Sequence, residues 1–324
     1  MSKDNQTKAA PAPRTGPKPR YRIINWPDYN QALCRRGQLS LWLPTNLGPF
    51  WYQDSPGPRI GGYRYSQRAI EFCLTLRQAY HLPYRQTQGF IEDLFEWLGL
   101  EVSVPSYSQL QRRGRDLNVD LHPAEVPACG PVDVVIDSTG LKVSGQGEWK
   151  VRQHGKGKNR QWLKLTLVSQ PQGLEILAQR LTHNDIDDAQ SGLEVMARLG
   201  QPVRCCAADG AYDKETFRAC LSPATRQLIP PQENAVASAG NPVLAQRDEA
   251  IAEIATTDRA TWKRAVGYHM RSKAEVNMFR YKTVFGERIR GRKLVNQATE
   301  VALNCKLLNR FAQLGLPQSR LIRP

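Results

Sequence analysis

Long hydrophobic runs are missing from this 324-residue chain. A membrane-spanning helix needs roughly 20 mostly apolar residues, and every apolar stretch here is broken by charge within a few positions, which excludes such a span. Residues 1–22 lack an apolar core and are polar, basic and rich in proline, so no secretory signal is expected there. The seven cysteines form no C-x-x-C pair, and the adjacent Cys205 and Cys206 fall in a strand-like run where neighbours face opposite sides. A disulfide framework and a thiolate metal site are thereby excluded, and reduced thiols in a cytoplasmic protein are expected. The five histidines show no zinc-type spacing. No glycine-rich phosphate loop is present, which leaves a metabolic phosphotransferase without support.

Acid is also scarce. Thirty Asp and Glu stand against 45 Lys and Arg, a net charge of +15. Such an excess calls for a polyanionic partner, and with no membrane segment nucleic acid is the partner that remains. A hydrophobic fraction of 40% excludes wholesale disorder. The length suits two domains at ~100–200 residues each.

Four segments are expected. Residues 1–22 form a basic arm and 317–324 a tail. Between them lie a helical domain over 23–122 and a mixed α/β domain over 130–316. In the helical part, Ser66 caps a run with Ile70, Cys73 and Leu74 at helical spacing, and a second run carries Phe90, Ile91, Leu94 and Leu98. A short third helix presents Ser108, Gln109, Gln111, Arg112, Arg113 and Arg115. Two packed helices and a third rich in amides and arginines suit a helix-turn-helix DNA reader, since Arg and Gln pair with guanine and adenine edges. A bundle with a solvated third helix would look the same.

Beyond residue 130 the order is three strands, then alternating helices and strands, then helices. Strands are expected over 131–137, 162–169, 174–180, 203–208 and 227–229. A looser stretch covers 230–261, and helices run over about 261–285 and 294–314.

Acids mark the chemistry. Asp137 ends an apolar strand before the turn-like Ser138-Thr139-Gly140, and Asp209 ends a second apolar strand before Gly210. A carboxylate costs several kcal/mol to desolvate unless paired or bound to a cation. If the strands lie side by side, two such acids meet. Asp213 resembles a plain helix N-cap. At 100° per residue, Tyr268, Arg271, Glu275 and Lys282 share one narrow stripe of the 261–285 helix, beside a core stripe of Ala274, Met278, Tyr281 and Phe285. An Arg271–Glu275 pair alone would be an ordinary surface ion pair. Two strand-end aspartates and a helical glutamate together suit hard divalent ions, Mg²⁺ or Mn²⁺, on oxygen ligands.

Two further basic segments stand out. Lys150, Arg152, Lys156, Lys158, Arg160 and Lys164 carry no acid among them and are interleaved with Trp149 and Trp162, which suits phosphate binding with a tryptophan available for base stacking. Arg288, Arg290, Arg292 and Lys293 follow the signature helix.

The spacing Tyr268-(2)-Arg271-(3)-Glu275-(6)-Lys282 resembles the signature of bacterial insertion-sequence DDE transposases. The surroundings of both aspartates, Val135 to Lys142 and Ala208 to Asp213, and the segment Gly147 to Gly155 resemble the same family. The nearest likeness is to the insertion-sequence-five family, nine-oh-three-like group, from Asn25-Trp26-Pro27 to Leu316-Pro317. The resemblance implies a ribonuclease-H-like core preceded by a helical, helix-turn-helix-like DNA-binding domain. It implies that Asp137, Asp209 and Glu275 are catalytic and hold two Mg²⁺ ions, with Mn²⁺ able to substitute. Tyr268, Arg271 and Lys282 would contact phosphate or transition-state charge. The implied partners are the terminal inverted repeats, target DNA and at least one further copy of the chain, acting in the cytoplasm at the nucleoid. Glu275 lies only 66 residues after Asp209, too close for a large inserted domain. The rival readings are a non-catalytic DNA-binding regulator and a metal-dependent nuclease of the same fold.

Overall fold

A computed structural model describes residues 20–42, 47–53, 64–121, 130–143, 162–238 and 240–322. After β1 (Arg20–Ile23) come five helices: α1 (Trp26–Arg35), α2 (Gly48–Trp51), α3 (Gln67–Ala79), α4 (Tyr84–Trp97) and α5 (Tyr107–Arg113). Ser66 caps α3 by accepting from the Ala69 N–H at 3.0 Å. Ser106 and Gln109 cap α5 reciprocally. The centre of this part is Trp51, fully buried and edge-on to Phe95 at 5.2 Å, with Ile70, Leu76, Ile91 and Leu110 around it. Its indole N–H donates to the Ser103 carbonyl at 2.8 Å, which satisfies the polar end of a buried ring.

The second part is built on one mixed sheet: β2 (Val132–Val143), β3 (Trp162–Ser169), β4 (Ile176–His183), β5 (Val203–Ala207), β6 (Arg226–Leu228) and β7 (Arg288–Ile289). The order is β4-β3-β2-β5-β6, with β7 beside the far end of β2. The pairs β2–β3 and β3–β4 are antiparallel, whereas β2–β5 and β5–β6 are parallel. This mixed α/β arrangement is consistent with the expected ribonuclease-H-like core. Helices α6 (Asp188–Met196) and α7 (Glu215–Ala219) cover one face, where Val134, Ile136 and Cys206 meet Val195 and Phe217. Helix α8 (Ala245–Thr256) and α9 (Arg259–Ala265) lead to α10 (Ser272–Phe285) and α11 (Leu294–Leu314). On the opposite face Leu141, Leu165 and Leu167 meet Met278 and Tyr281 of α10 and Val301 and Leu308 of α11.

The long α11 is shared by both parts. Leu303 belongs to the cluster around Trp51, and the Thr299 hydroxyl donates to the Gly114 carbonyl at 2.7 Å. On its other side the Asn309 amide reaches the carbonyls of Leu121 and Ile176 at 3.1 and 2.8 Å. The last strand, β8 (Ser319–Ile322), pairs antiparallel with β1, Arg20 opposite Ile322.

Several elements depart from the sequence reading. Residues 20–22 and 319–322, expected in the arm and the tail, form this terminal ribbon. Asp137 does not end its strand: β2 continues through Ser138-Thr139-Gly140 to Val143, because β3 pairs with it without interruption from Val135 to Lys142. Gly140 fits this crowded register, since a Cβ there would sit 3.2 Å from the Trp162 ring. Helix α8 occupies what was expected as a loose stretch. The 261–285 helix is broken at Gly267, whose φ of 75° is left-handed, so Tyr268–Arg271 form a 3-10 turn ahead of α10.

Asp213 is not a helix cap either, for the N-cap of α7 is Lys214. Its side chain is wholly buried and accepts from Arg218 at 2.9 and 3.0 Å, from Arg247 at 3.2 Å and from the Gln232 N–H at 2.9 Å. An acid at the start of a helix and an arginine five residues on gave no sign of burial. Removing one member of a buried ion pair leaves the other charged and uncompensated. Asp213→Ala is therefore expected to cost about 3–5 kcal/mol of folding stability in guanidinium denaturation. A loss no larger than that of an exposed N-cap, about 1 kcal/mol, would contradict the arrangement.

Candidate active site

The parallel pairing of β2 and β5 sets two acids side by side. Val135 stands opposite Ala207, and two residues farther along each chain come Asp137 and Asp209. Asp137 lies mid-strand, held on both sides by backbone pairing. Asp209 follows the end of β5 and opens a 3-10 turn, Gly210–Tyr212, by accepting from the Ala211 N–H at 2.9 Å.

The third acid arrives on α10. Ala274 is buried against Val135, Ala207 and Leu228, with Val266, Tyr268 and Met270 packed around this cluster. That contact seats the first turn of α10 over the sheet beside the aspartates. Glu275 is the next residue, and its side chain is 62% exposed.

Arg271 binds the three acids together. Its Nη2 lies 3.1 Å from Asp137 Oδ1 and 3.5 Å from Asp209 Oδ2, and its Nη1 lies 2.5 Å from Glu275 Oε1. The remaining guanidinium nitrogen, Nε, is buried without a hydrogen-bond partner among the described residues. Burial would lower the Arg271 pKa, but Asp137, Tyr268, Asp209 and Glu275 together hold it above the ordinary value, so the arginine is firmly charged. Asp137 is pushed above the usual carboxylate range. Burial raises it, Arg271 and the Ser138 N–H oppose the rise, and Asp209 and Glu275 add to it. Burial likewise pushes the Tyr268 hydroxyl up to about 12. Its ring packs against Trp262, with the Lys263 ammonium 5.1 Å from its centre.

Among the described residues, no three acidic, imidazole or thiolate groups close on a point that would hold a metal ion. The guanidinium stands between the carboxylates as a shared positive charge. The donors themselves are all hard oxygens of the kind that take Mg²⁺ or Mn²⁺. Their chemistry fits a divalent cation, and Arg271 fills the place of that charge.

A feature with no signal in the sequence lies beneath the acids. The Tyr212 hydroxyl and Ser138 Oγ are 2.8 Å apart, Ser138 Oγ and Thr166 Oγ1 2.9 Å, and Thr166 Oγ1 and Ser191 Oγ 2.6 Å. This hydroxyl chain joins the residue after Asp137 to the turn that begins with Asp209. Ser138 also donates its N–H to Asp137 Oδ1 at 3.0 Å. Gly192 makes room for it, because a Cβ there would lie 2.7 Å from the buried Tyr212 ring.

The other candidate residues are dispersed. Lys282, two turns after Glu275, lies 3.9 Å from Glu287, which also binds Lys142 at 2.9 Å. Trp162 is half-buried with the Lys142 ammonium 5.3 Å from its ring centre. Lys164 pairs with Asp188 at 2.9 Å and donates to the Ile186 carbonyl. In the third helix Gln111 and Arg112 are exposed, whereas Gln109 is spent on the capping box and Ser108 lies 3.1 Å from Ser106. Arg113 is buried and donates to the Tyr65 carbonyl at 3.0 Å, and Arg115 is half-buried. Arg290 donates to the His81 carbonyl at 2.8 Å, while Arg292 and Lys293 are exposed. Trp149, Lys150, Arg152, Lys156, Lys158 and Arg160 lie outside the described residues.

A family model described as Transposase DDE domain matches residues 128–310, more than half of the chain. A second family model of the same description matches residues 34–146. No solved structure matches the chain.

The hydroxyl chain generates a test. Tyr212→Phe keeps the ring in its seat and removes one hydrogen bond, so its expected cost is about 1 kcal/mol. Gly192→Ala pushes on the same ring and is expected to cost about 1–3 kcal/mol through overpacking. Thermal or chemical denaturation measures both, and a Gly192→Ala protein as stable as the parent would refute the packing.

Proposed function

The chain belongs to the DDE transposases, and from that premise we propose that it binds the terminal inverted repeats of its own insertion sequence and cuts them there. We place it in the insertion-sequence-five family, nine-oh-three-like group. The freed 3′-OH is then joined to target DNA. The observation that carries this reading is the convergence of Asp137, Asp209 and Glu275 on the single charge of Arg271.

Asp137, Asp209 and Glu275 would hold two Mg²⁺ ions, with Mn²⁺ able to substitute. Bound divalent ions supply activation of the attacking oxygen and stabilisation of the leaving oxygen in an in-line phosphodiester displacement. Arg271 neutralises the three carboxylates until that charge is supplied, and then turns its guanidinium to a phosphate oxygen, where its planar fork suits bidentate pairing. Tyr268 stays protonated at neutral pH and donates its hydroxyl proton to the strand. Lys282 adds a point charge two turns from Glu275.

Gln111, Arg112, Arg292 and Lys293 supply exposed contacts to duplex DNA, and the segment 150–164 adds further phosphate contacts. The helical part over 23–122 serves as the end-binding domain. Both ends of an element must be cut together, so the working form is at least a homodimer on DNA. Among the described residues no helix is long and apolar enough to cross a membrane.

Two measurements test this reading. In a nicking assay on terminal-repeat DNA with Mg²⁺, Asp137→Asn, Asp209→Asn and Glu275→Gln are each expected to lose cleavage by about a hundredfold or more. An active Asp137→Asn protein would sink the assignment. Binding that rests on six or more phosphate contacts is expected to weaken by roughly a thousandfold between about 50 and 200 mM salt. Affinity for the ends that ignores salt would remove the basic segments from the interface.

A further inference from the structure

Phe279 is 70% exposed on α10, with no ring partner among the described residues. It lies four residues after Glu275 and three before Lys282, so the three side chains share one face of the helix. The other aromatic residues nearby are engaged. Tyr281 is buried, Tyr268 packs on Trp262, and Trp162 lies beside Lys142. Beside the three acids, Phe279 alone among these rings presents its surface to solvent.

Resting on the active-site reading above, we propose that Phe279 stacks on an unpaired base next to the phosphate held at Asp137, Asp209 and Glu275. Four residues of helix rise about 6 Å, well beyond the ~3.4 Å per nucleotide of a stacked strand. A nucleotide anchored by its phosphate at the carboxylates therefore reaches the ring only when its base leaves the stack. The surroundings suit a nucleotide better than a protein. Lys273 and Lys282 flank the ring, and Val276, 38% exposed, is its one apolar neighbour on the exposed side of the helix. A stable protein interface needs ~800 Å² per partner with an apolar centre. One ring between lysines matches the pattern of single-strand binding, in which cations follow the backbone and an aromatic face takes a base of any sequence.

The test measures binding of the full chain by fluorescence anisotropy in Ca²⁺. The probes are a fluorescein-labelled blunt duplex and a forked duplex of the same sequence with oligo-dT arms. Phe279→Ala is expected to bind the fork about tenfold more weakly and the blunt duplex as the parent does, and Phe279→Trp is expected to restore fork binding. Because the side chain is exposed, neither variant disturbs the core. Equal fork binding by parent and Phe279→Ala overturns the proposal. So does an equal weakening on both probes, or a loss of self-association in sedimentation velocity with fork binding unchanged. Mg²⁺-dependent cleavage by parent and Asp137→Asn is measured in parallel. Cleavage that ignores Asp137 defeats the active-site reading, whereas fork binding that ignores Phe279 while cleavage still needs Asp137 defeats the stacking alone.

Discussion

Three carboxylates crowded at the edge of a sheet repel one another, and much of the architecture around them serves to hold them against that repulsion. Two like charges at 4 Å cost ~4 kcal/mol at an effective dielectric near 20. Arg271 offsets the repulsion from the centre, and it arrives from the same turn that delivers Glu275. One guanidinium thus gathers a strand, a strand-end loop and a helix into one site. Its strength as a fixed charge follows from its company, since an arginine ringed by acids does not lose its proton.

The loop that carries Asp209 is held from two further directions. Tyr212 ties it to Ser138 on β2 through the buried hydroxyl chain, and the next residue, Asp213, anchors it to α7 and α8 through Arg218 and Arg247. Both anchors lie away from the open side of the site. The acids are therefore positioned from beneath, which leaves Glu275, Phe279 and Lys282 in the open on the helix above.

Much of this was legible in the residues. The apolar strands before Asp137 and Asp209 do lie side by side, and the stripe of Ala274, Met278 and Tyr281 faces the core. Helix α11 spans the expected residues. The misreadings have a common cause: local chemistry was outvoted by distant partners. Ser138-Thr139-Gly140 has turn composition, yet continuous pairing with β3 extends it. Arg113 has the composition of a groove reader, yet the Tyr65 carbonyl, 48 residues away in sequence, takes it inside. Asp213 resembled a cap because no local pattern announces a salt bridge to Arg247, 34 residues on. Gly267 alone carried a local signal for the break before Tyr268, in the residue type that tolerates a left-handed φ.

The pairing of β1 with β8 orders events in time. Residue 20 meets residue 322, so the first strand has no partner until almost 300 further residues have been made. At ~5–20 residues per second that is a wait of roughly 15–60 seconds. The helices near the amino terminus share the delay, because Leu303 of α11 belongs to their core. A nascent chain thus completes its first-made helices only when the last-made one arrives. Any truncation that removes α11 uncovers apolar surface in both parts at once.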